Sequence, residues 1–221
     1  MYSLQTDQAS DANNLDTVEL IDQLHHATTP TEMVTLIQAL TVRKTAAVIE
    51  SLIQILHHRY PAVLVAAVDG LVALAPETVE PLMATFQTCR DHGVQAYIVQ
   101  ALARIGDGRA LDLLIEVVGI EVANHCQGNV RRVAARGLGQ IGKTSGDHLS
   151  IHLATEKLAW VLFHTEDWAL RYAAVVSLQE IATTEAIAVL QQALTQESDP
   201  VVQLRIKTAM DSSTMPKPKQ F

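Results

Sequence analysis

The sequence predicts an all-α protein, an α-solenoid built from about five to six helix pairs. Three observations predict it. Apolar residues recur with the 3.6-residue period of an amphipathic helix along most of the chain. Aromatic residues make up only 4% of a chain that is 48% hydrophobic. A core must therefore be filled by Leu, Ile, Val and Ala at close approach, which suits stacked helices better than sheets. The third observation is an internal repeat. The last large apolar residue of each leading helix falls at Leu40, Leu71, Leu102, Leu138, Leu178 and Met210, at separations of 31, 31, 36, 40 and 32 residues. Spacing of this kind marks an array of helix pairs, each too small to bury its own apolar face and each completed by its neighbours.

Residues 1–14 are polar and without hydrophobic period, and are read as a disordered lead. A single repeat domain is expected over 15–210. Its first helix presents Leu15, Val18, Ile21 and Leu24 on one face. Thr29-Pro30 is a helix-start signal for a segment carrying Met33, Leu36, Ile37 and Leu40. A partner helix runs from about Thr45 to His58. Four later leading helices share further positions. Val63, Val94, Val130 and Leu170 stand eight residues before the anchor, and Ala67, Ile98, Ala134 and Ala174 four before it. Leu74, Ile105, Ile141 and Ile181 stand three after. Partner helices are predicted over Glu77–Arg90, Arg109–Val118, Leu149–Phe163 and Glu185–Gln196. Gly106-Asp107-Gly108 and Gly142 are read as tight turns within pairs. Ser198-Asp199-Pro200 caps the last helix, and the tail over 211–221, with Pro216 and Pro218 among lysines, is expected to be disordered. The apolar stretch from Ala62 to Ala75 is read as the buried middle of the array or a subunit contact.

Charge and composition remove several function classes. The net charge is −8, and the first 42 residues carry Asp7, Asp11, Asp16, Glu19, Asp22 and Glu32 with no Lys or Arg. That balance argues against nucleic acid as a ligand, which needs a basic footprint. It also lacks the basic start of a signal peptide. No apolar run is long enough to span a bilayer, so no membrane insertion and a cytoplasmic location are expected. Cys89 and Cys126 make neither a disulfide framework nor a C-x-x-C pair.

The chemistry concentrates at 124–142. The connection Gly119–Gly128 is longer than its equivalents, glycine-flanked, and contains His125 and Cys126, so it is read as a functional loop. A thiolate beside an imidazole can add reversibly to a conjugated system. The competing reading is a small buried thiol and a loop hydrogen-bonder. Arg132 and Arg136 lie four apart on the face away from the core, with no acid between Asn129 and Lys143. They suit an anionic ligand, a solvated face or an acid on the next repeat equally well. Arg131, nearer the core edge, is read as structural. Trp168 and Tyr172, at i and i+4, are read as core between repeats, with stacking on a flat ligand as the alternative; Tyr97 is similar. Gly137-x-Gly139-x-x-Gly142 has the letters of a dinucleotide fingerprint but lies inside a helix with no preceding strand, and is rejected. His148 and His152 have metal-ligand spacing but no completing ligands except Asp147, and are read as a surface pair; no metal site is expected. His25-His26 and His57-His58 fall at helix ends, where a cation suits the dipole.

At this point the residues resemble a known family. Val-Arg-x-x-Ala-x-x-x-Leu-x-x-Ile-Gly over 130–142 resembles the HEAT-like repeat of the heterodimeric E/F phycobilin lyases. The hexapeptide Asn124-His125-Cys126-Gln127-Gly128-Asn129 looks like that of their smaller F-type subunit, most like the branch acting on the phycoerythrocyanin α subunit. The resemblance covers about residues 30–210. It implies a HEAT-like superhelix paired with a larger E-type subunit. Together they attach phycocyanobilin through a thioether to a cysteine of a phycobiliprotein α subunit, with isomerisation to phycoviolobilin. It implies no tightly bound cofactor, the bilin being the substrate. His125 and Cys126 then form the reacting centre, and Asn124, Gln127, Asn129, Arg132, Arg136, Trp168 and Tyr172 bind substrate. Two alternatives stay open: a plain phycocyanin α-subunit lyase, and a non-catalytic HEAT scaffold or bilin-removal protein of the phycobilisome.

Overall fold

A computed structural model describes residues 16–119 and 125–211, the side chains of 125–127 excepted. Every regular element among the described residues is helical: α1 (16–26), α2 (Pro30–Thr41), α3 (Ala46–Ile55), α4 (Pro61–Ala73), α5 (Val79–Thr88), α6 (His92–Ile105), a 3-10 turn (Gly108–Ala110), α7 (Leu111–Gly119), α8 (His125–Thr144), α9 (His148–His164), α10 (Trp168–Ile181), α11 (Thr184–Gln196) and α12 (Pro200–Met210). The helix-pair array is therefore present as expected. The stretches expected to be disordered, 1–14 and the tail beyond Asp211, lie outside the described residues. The chain forms two compact units, Met1–Ala101 and Leu102–Phe221, divided within α6.

Local chemistry sets the helix boundaries. Thr29 caps α2 by accepting from the Glu32 amide, with Pro30 behind it, and Thr45 caps α3 through Val48 N. In the second unit Asp147, Asp167, Thr183 and Asp199 each accept amide hydrogen bonds at the start of α9, α10, α11 and α12. Such caps satisfy otherwise orphaned N–H groups and contribute about 1 kcal/mol apiece. Gly106, at φ +68°, makes the turn after α6, and Asp107 accepts from Arg109 N behind it.

In the first unit α2 and α3 pack on α4, and α5 on α3. The core there is Met33, Ile37, Leu40, Val48, Leu52, Val63, Ala67 and Leu71. In α1 the inward face differs from expectation. Val18 is 60% exposed, while Thr17 and Leu24 are buried. Those two are seven residues apart, and the helix is rotated to bury that edge. In α4, Val65 is likewise exposed, so this apolar helix is not wholly buried.

The second unit is arranged about α8, which packs against α7, α9 and α10; α10 in turn packs on α12. The anchors Leu102, Leu138 and Leu178 are fully buried, and so are Ala134 and Ala174 four residues before the last two. Three glycines set how closely α8 approaches its neighbours. A Cβ at Gly137 would stand 2.7 Å from Ala103 Cβ, at Gly139 2.5 Å from Ser177 Cβ, and at Gly142 2.7 Å from Ile181 Cγ1. The Gly-x-Gly-x-x-Gly letters thus serve helix contact, as their rejection as a phosphate loop implies. Gly142, read as a turn, lies inside α8, which runs on to Thr144. The tight contact with Ile181 on α10 requires a residue without a side chain there, and this is the demand that glycine meets.

Replacing Gly139 with Ala should destabilise the protein by about 1–3 kcal/mol, because the nearest obstacle includes the Ser177 Cα at 2.8 Å and backbone cannot swing aside. Urea unfolding checks this. Gly146→Ala, where nothing lies within 4 Å, should leave the midpoint unchanged.

Candidate functional site

The expected reacting pair lies at the start of α8 rather than in a loop. The helix begins at His125, so residues 125–128 form its first turn. Glycine at 128 tolerates helical angles, so the helix runs back past it to His125. Asn124 lies outside the described residues, as do the side chains of His125, Cys126 and Gln127. By register, position 125 shares one side of α8 with Arg132 and Arg136, seven and eleven residues on.

Two cations brace the end of α7 that leads towards this turn. Arg131 is buried and donates from Nε to the Val118 carbonyl at 2.9 Å, which satisfies an orphan acceptor at the α7 C-terminus. Burial lowers the Arg131 pKa, opposed by the charge of Asp167. Lys157 Nζ lies 2.9 Å from where a Gly119 Cβ would stand and 4.2 Å from the centre of the Trp160 ring. Burial, then the positive charge of Arg131, lowers its pKa. Arg131 is thus structural, as its position near the core edge indicated.

Arg132 and Arg136 meet acids of the following repeat. Arg132 Nη2 lies 3.2 Å from Asp167 Oδ2, and Arg136 donates to Glu180 Oε1 at 2.6 Å and to Ser177 Oγ at 3.0 Å. Of the three readings open from sequence, pairing with the next repeat is the geometry present. The two arginine side chains are 40% and 38% exposed, so these pairs contribute about 0.2–1 kcal/mol each. Arg132 Nε is buried without a hydrogen-bond partner among the described residues.

Asp167 joins the parts. One carboxylate oxygen caps α10 through the amides of Ala169 and Leu170, and the other takes Arg132. A Cβ at Gly128 would lie 3.7 Å from Arg132 Nη2 and 4.0 Å from Asp167 Oδ2. The first turn of α8 therefore sits beside the N-terminus of α10, where Trp168 is the next residue.

Trp168 and Tyr172 are corrections. They are 50% and 37% exposed, not core. Asp167 fixes the start of α10, and the apolar side of that helix is supplied by Leu170, Ala173, Ala174 and Leu178, which leaves positions 168 and 172 facing outwards. Arg205, on α12, lies over Tyr172 with its guanidinium carbon 5.9 Å from the ring centre. Asn129 is exposed. Tyr97 is half-buried.

Sequence reasoning missed Asp167, Glu180, Ser177 and Arg205. A signal for part of this was present. Arg132, Tyr172 and Leu204 all stand six residues before their anchors Leu138, Leu178 and Met210, so the repeat places them in one row. Nothing in the sequence, however, pairs Arg136 with Glu180. Elsewhere His152 Nδ1 contacts Glu185 Oε1 at 2.9 Å, and no cluster of three potential metal ligands occurs among the described residues. No helix there is long and apolar enough to cross a membrane.

Comparison with known proteins decides the family. The family model described as HEAT repeats matches residues 49–123 and 119–211. The chain is 56% identical over 197 residues to the bilin biosynthesis protein PecF of Mastigocladus laminosus, covering 87% of this chain and 93% of that protein. It is 32% identical to a phycocyanobilin lyase subunit beta of Nostoc, covering 87% of this chain and 98% of the relative. The chain belongs to the F-type phycobilin lyase subunits. Among solved structures of the family, a chain from the complex of CpcE and CpcF of phycocyanin lyase from Nostoc superposes with a TM-score of 0.65 at 28% identity, over 76% of this chain and all of that one.

Two ionisable pairs in the second unit give checkable outcomes. Arg171 and Glu197 pair at 2.8 Å with side chains only 12% and 5% exposed. Burial pushes Glu197 up, but hydrogen bonds from Arg171 and from the Asp199 and Ser198 amides outweigh it, and its pKa is lowered. A depressed carboxylate contributes stability above its unfolded pKa and loses it as pH falls through the folded one. Glu197→Gln should cost about 3 kcal/mol at neutral pH, because it strands a buried guanidinium. The gap to the unaltered protein should narrow below about pH 4, read by urea unfolding across pH. The hydrogen bond and charge of Glu185 raise the His152 pKa above 6.5. Its contribution is present below the unfolded value and lost as pH rises through the folded one. Glu185→Gln should bring the His152 titration, followed by NMR, down towards 6.5.

Proposed function

We propose that this chain is the F-type subunit of a heterodimeric phycobilin lyase. With a larger E-type subunit it attaches phycocyanobilin by a thioether to a cysteine of a phycobiliprotein α subunit, with isomerisation to phycoviolobilin on phycoerythrocyanin. The observation that carries the reading is the 56% identity to a bilin biosynthesis protein across 93% of its length. That degree of likeness exceeds the 32% to a phycocyanobilin lyase subunit beta and favours the isomerising branch over plain lyase action. The bilin is a substrate, and the assembly acts in the cytoplasm.

His125 and Cys126 form the reacting centre in this reading. Position 126 falls in the first turn of α8, and the unpaired amides and positive dipole end of a helix N-terminus favour a thiolate. Thiolate addition to the conjugated bilin forms a C–S bond and interrupts conjugation, and an imidazole delivers the proton that balances it. Elimination in the other direction breaks the C–S bond, returns the thiolate, and removes a proton from a different carbon. The double bond has then moved with no net gain or loss of atoms. Attachment to the acceptor is likewise an addition, in which the cysteine proton ends on the pigment.

The ligand side of the site is assigned to Asn124, Gln127, Asn129, Arg132, Arg136, Trp168 and Tyr172. Asp167 and Glu180 hold the two guanidiniums in place. Each keeps further N–H groups for a propionate, since guanidinium has five donors. Exposed Trp168 and Tyr172 offer flat faces for a conjugated ring system.

The test is co-expression with an E-type partner, an apo α subunit and phycocyanobilin, followed by absorption spectra. A blue-shifted, violobilin-type adduct is expected. With Cys126→Ser the shift should be lost while the heterodimer survives size-exclusion chromatography. An unshifted adduct from the unaltered chain would mean a plain lyase, and no adduct would leave only the scaffold or bilin-removal reading.

A further inference from the structure

Resting on the bilin reading above, we propose that Arg205 is a carboxylate-binding residue for the tetrapyrrole, seated at the edge of an aromatic platform formed by Tyr172 and Trp168. Three of the four arginines on α8 and α10 meet a carboxylate, Arg132 with Asp167, Arg136 with Glu180 and Arg171 with Glu197, while the fourth, Arg131, is buried and donates to the Val118 carbonyl at a helix end. Arg205 differs. Among the described residues its contacts are a hydrogen bond donated from Nη2 to the neutral Gln179 Oε1 and the face of Tyr172. The side chain is half-buried, so a positive charge is partly withdrawn from water with no counter-charge supplied by the fold. Such a group gains most from an anion that arrives from outside.

The surroundings specify which anion. Trp168 and Tyr172 lie one turn apart on α10 and are both exposed. On α12, Val201 is 48% and Leu204 66% exposed, on the same side as Arg205. Leu204 and Tyr172 occupy equivalent repeat positions on packed neighbours. A hydrated anion such as phosphate has no use for these apolar flanks. A flat conjugated molecule carrying acidic side arms uses every part: rings stack on the indole and phenol faces, alkyl substituents cover Leu204 and Val201, and an acid takes the guanidinium. Phycocyanobilin, with two propionates, has that composition. Gln179 and the Tyr172 ring would orient the guanidinium before the ligand binds, which lowers the ordering cost.

The arginines then differ in role. Arg132 and Arg136 share their charge with acids and stand beside the first turn of α8. Arg205 keeps an unshared charge on the far side of Tyr172. A bilin lying across α10 would then be pinned by one propionate at Arg205.

The experiment uses the heterodimer of this chain with its E-type partner. Phycocyanobilin and its dimethyl ester, in which both propionates are blocked, are titrated separately and followed by absorption difference. The unaltered heterodimer should bind the free acid at least tenfold more tightly than the ester. Arg205→Gln should weaken the acid about tenfold, the loss expected for one charge-assisted hydrogen bond, and leave the ester unchanged. Arg205→Lys, which keeps the charge but not the fork, should fall between. Equal binding of acid and ester by the unaltered heterodimer overturns the proposal without any variant. So does Arg205→Gln that leaves acid binding intact or weakens acid and ester alike; the latter outcome would make Arg205 a packing residue or a contact for a protein partner. If neither compound binds, the bilin reading itself fails, which is distinguishable from failure at Arg205.

Discussion

The second unit depends on how closely α8 can approach its neighbours. Gly137 against Ala103, Gly139 against Ser177 and Gly142 against Ile181 leave no room for a side chain at three places on one helix. A protein with few aromatic residues has no large side chains to bridge wide gaps, so small residues at contact and short interaxial distances are how it reaches interior packing density. Because α8 also begins at His125, the contacts that stabilise the unit also set where the proposed His125-Cys126 centre stands. Ser177 illustrates the economy: it packs on Gly139, donates to the Ala135 carbonyl and accepts from Arg136.

Polar interactions between repeats are graded by exposure. Arg171–Glu197 is nearly buried and tied to backbone on both sides, through the Thr165 and Glu166 carbonyls and the Ser198 and Asp199 amides. It fixes α10 against the α11–α12 connection. Arg132–Asp167 and Arg136–Glu180 are half-exposed and add little to stability, but they set where two guanidiniums stand. Arg205 meets no acid among the described residues. Passing from the first of these to the last, the fold's own claim on the arginine weakens and the capacity to meet an external acid grows.

A composite site is consistent with this arrangement. Among the described residues, Trp168 and Tyr172 at the start of α10, with Arg205 beside Tyr172, lie at the surface. Open surfaces exclude water poorly, and reversible addition to a conjugated pigment benefits from excluding it. A second subunit laid over the surface would supply that wall, which accounts physically for division of the activity between two chains.

The sequence by itself determined the architecture. Periodicity at Leu40, Leu71, Leu102, Leu138 and Leu178, caps such as Thr29 and Asp199, and the start of α12 at Pro200 are local properties, governed by hydrogen bonds and side chains within a few residues. The hexapeptide was also legible, because its residues are contiguous. What tertiary structure decided is everything that depends on a neighbour in another repeat. Gly142 reads locally as a turn, and only the nearness of Ile181 shows it to be a contact. Trp168 and Tyr172 have the composition of core residues, and only the packing of α10 on α8 and α12 leaves them outside. Arg132 and Arg136 stay open in the sequence between a ligand, solvent and an acid of the next repeat, and only the tertiary structure brings Asp167 and Glu180 alongside, 35 and 44 residues later. A helical period fixes which residues share a face; which faces are covered, and by what, is set by the stacking of one repeat on the next.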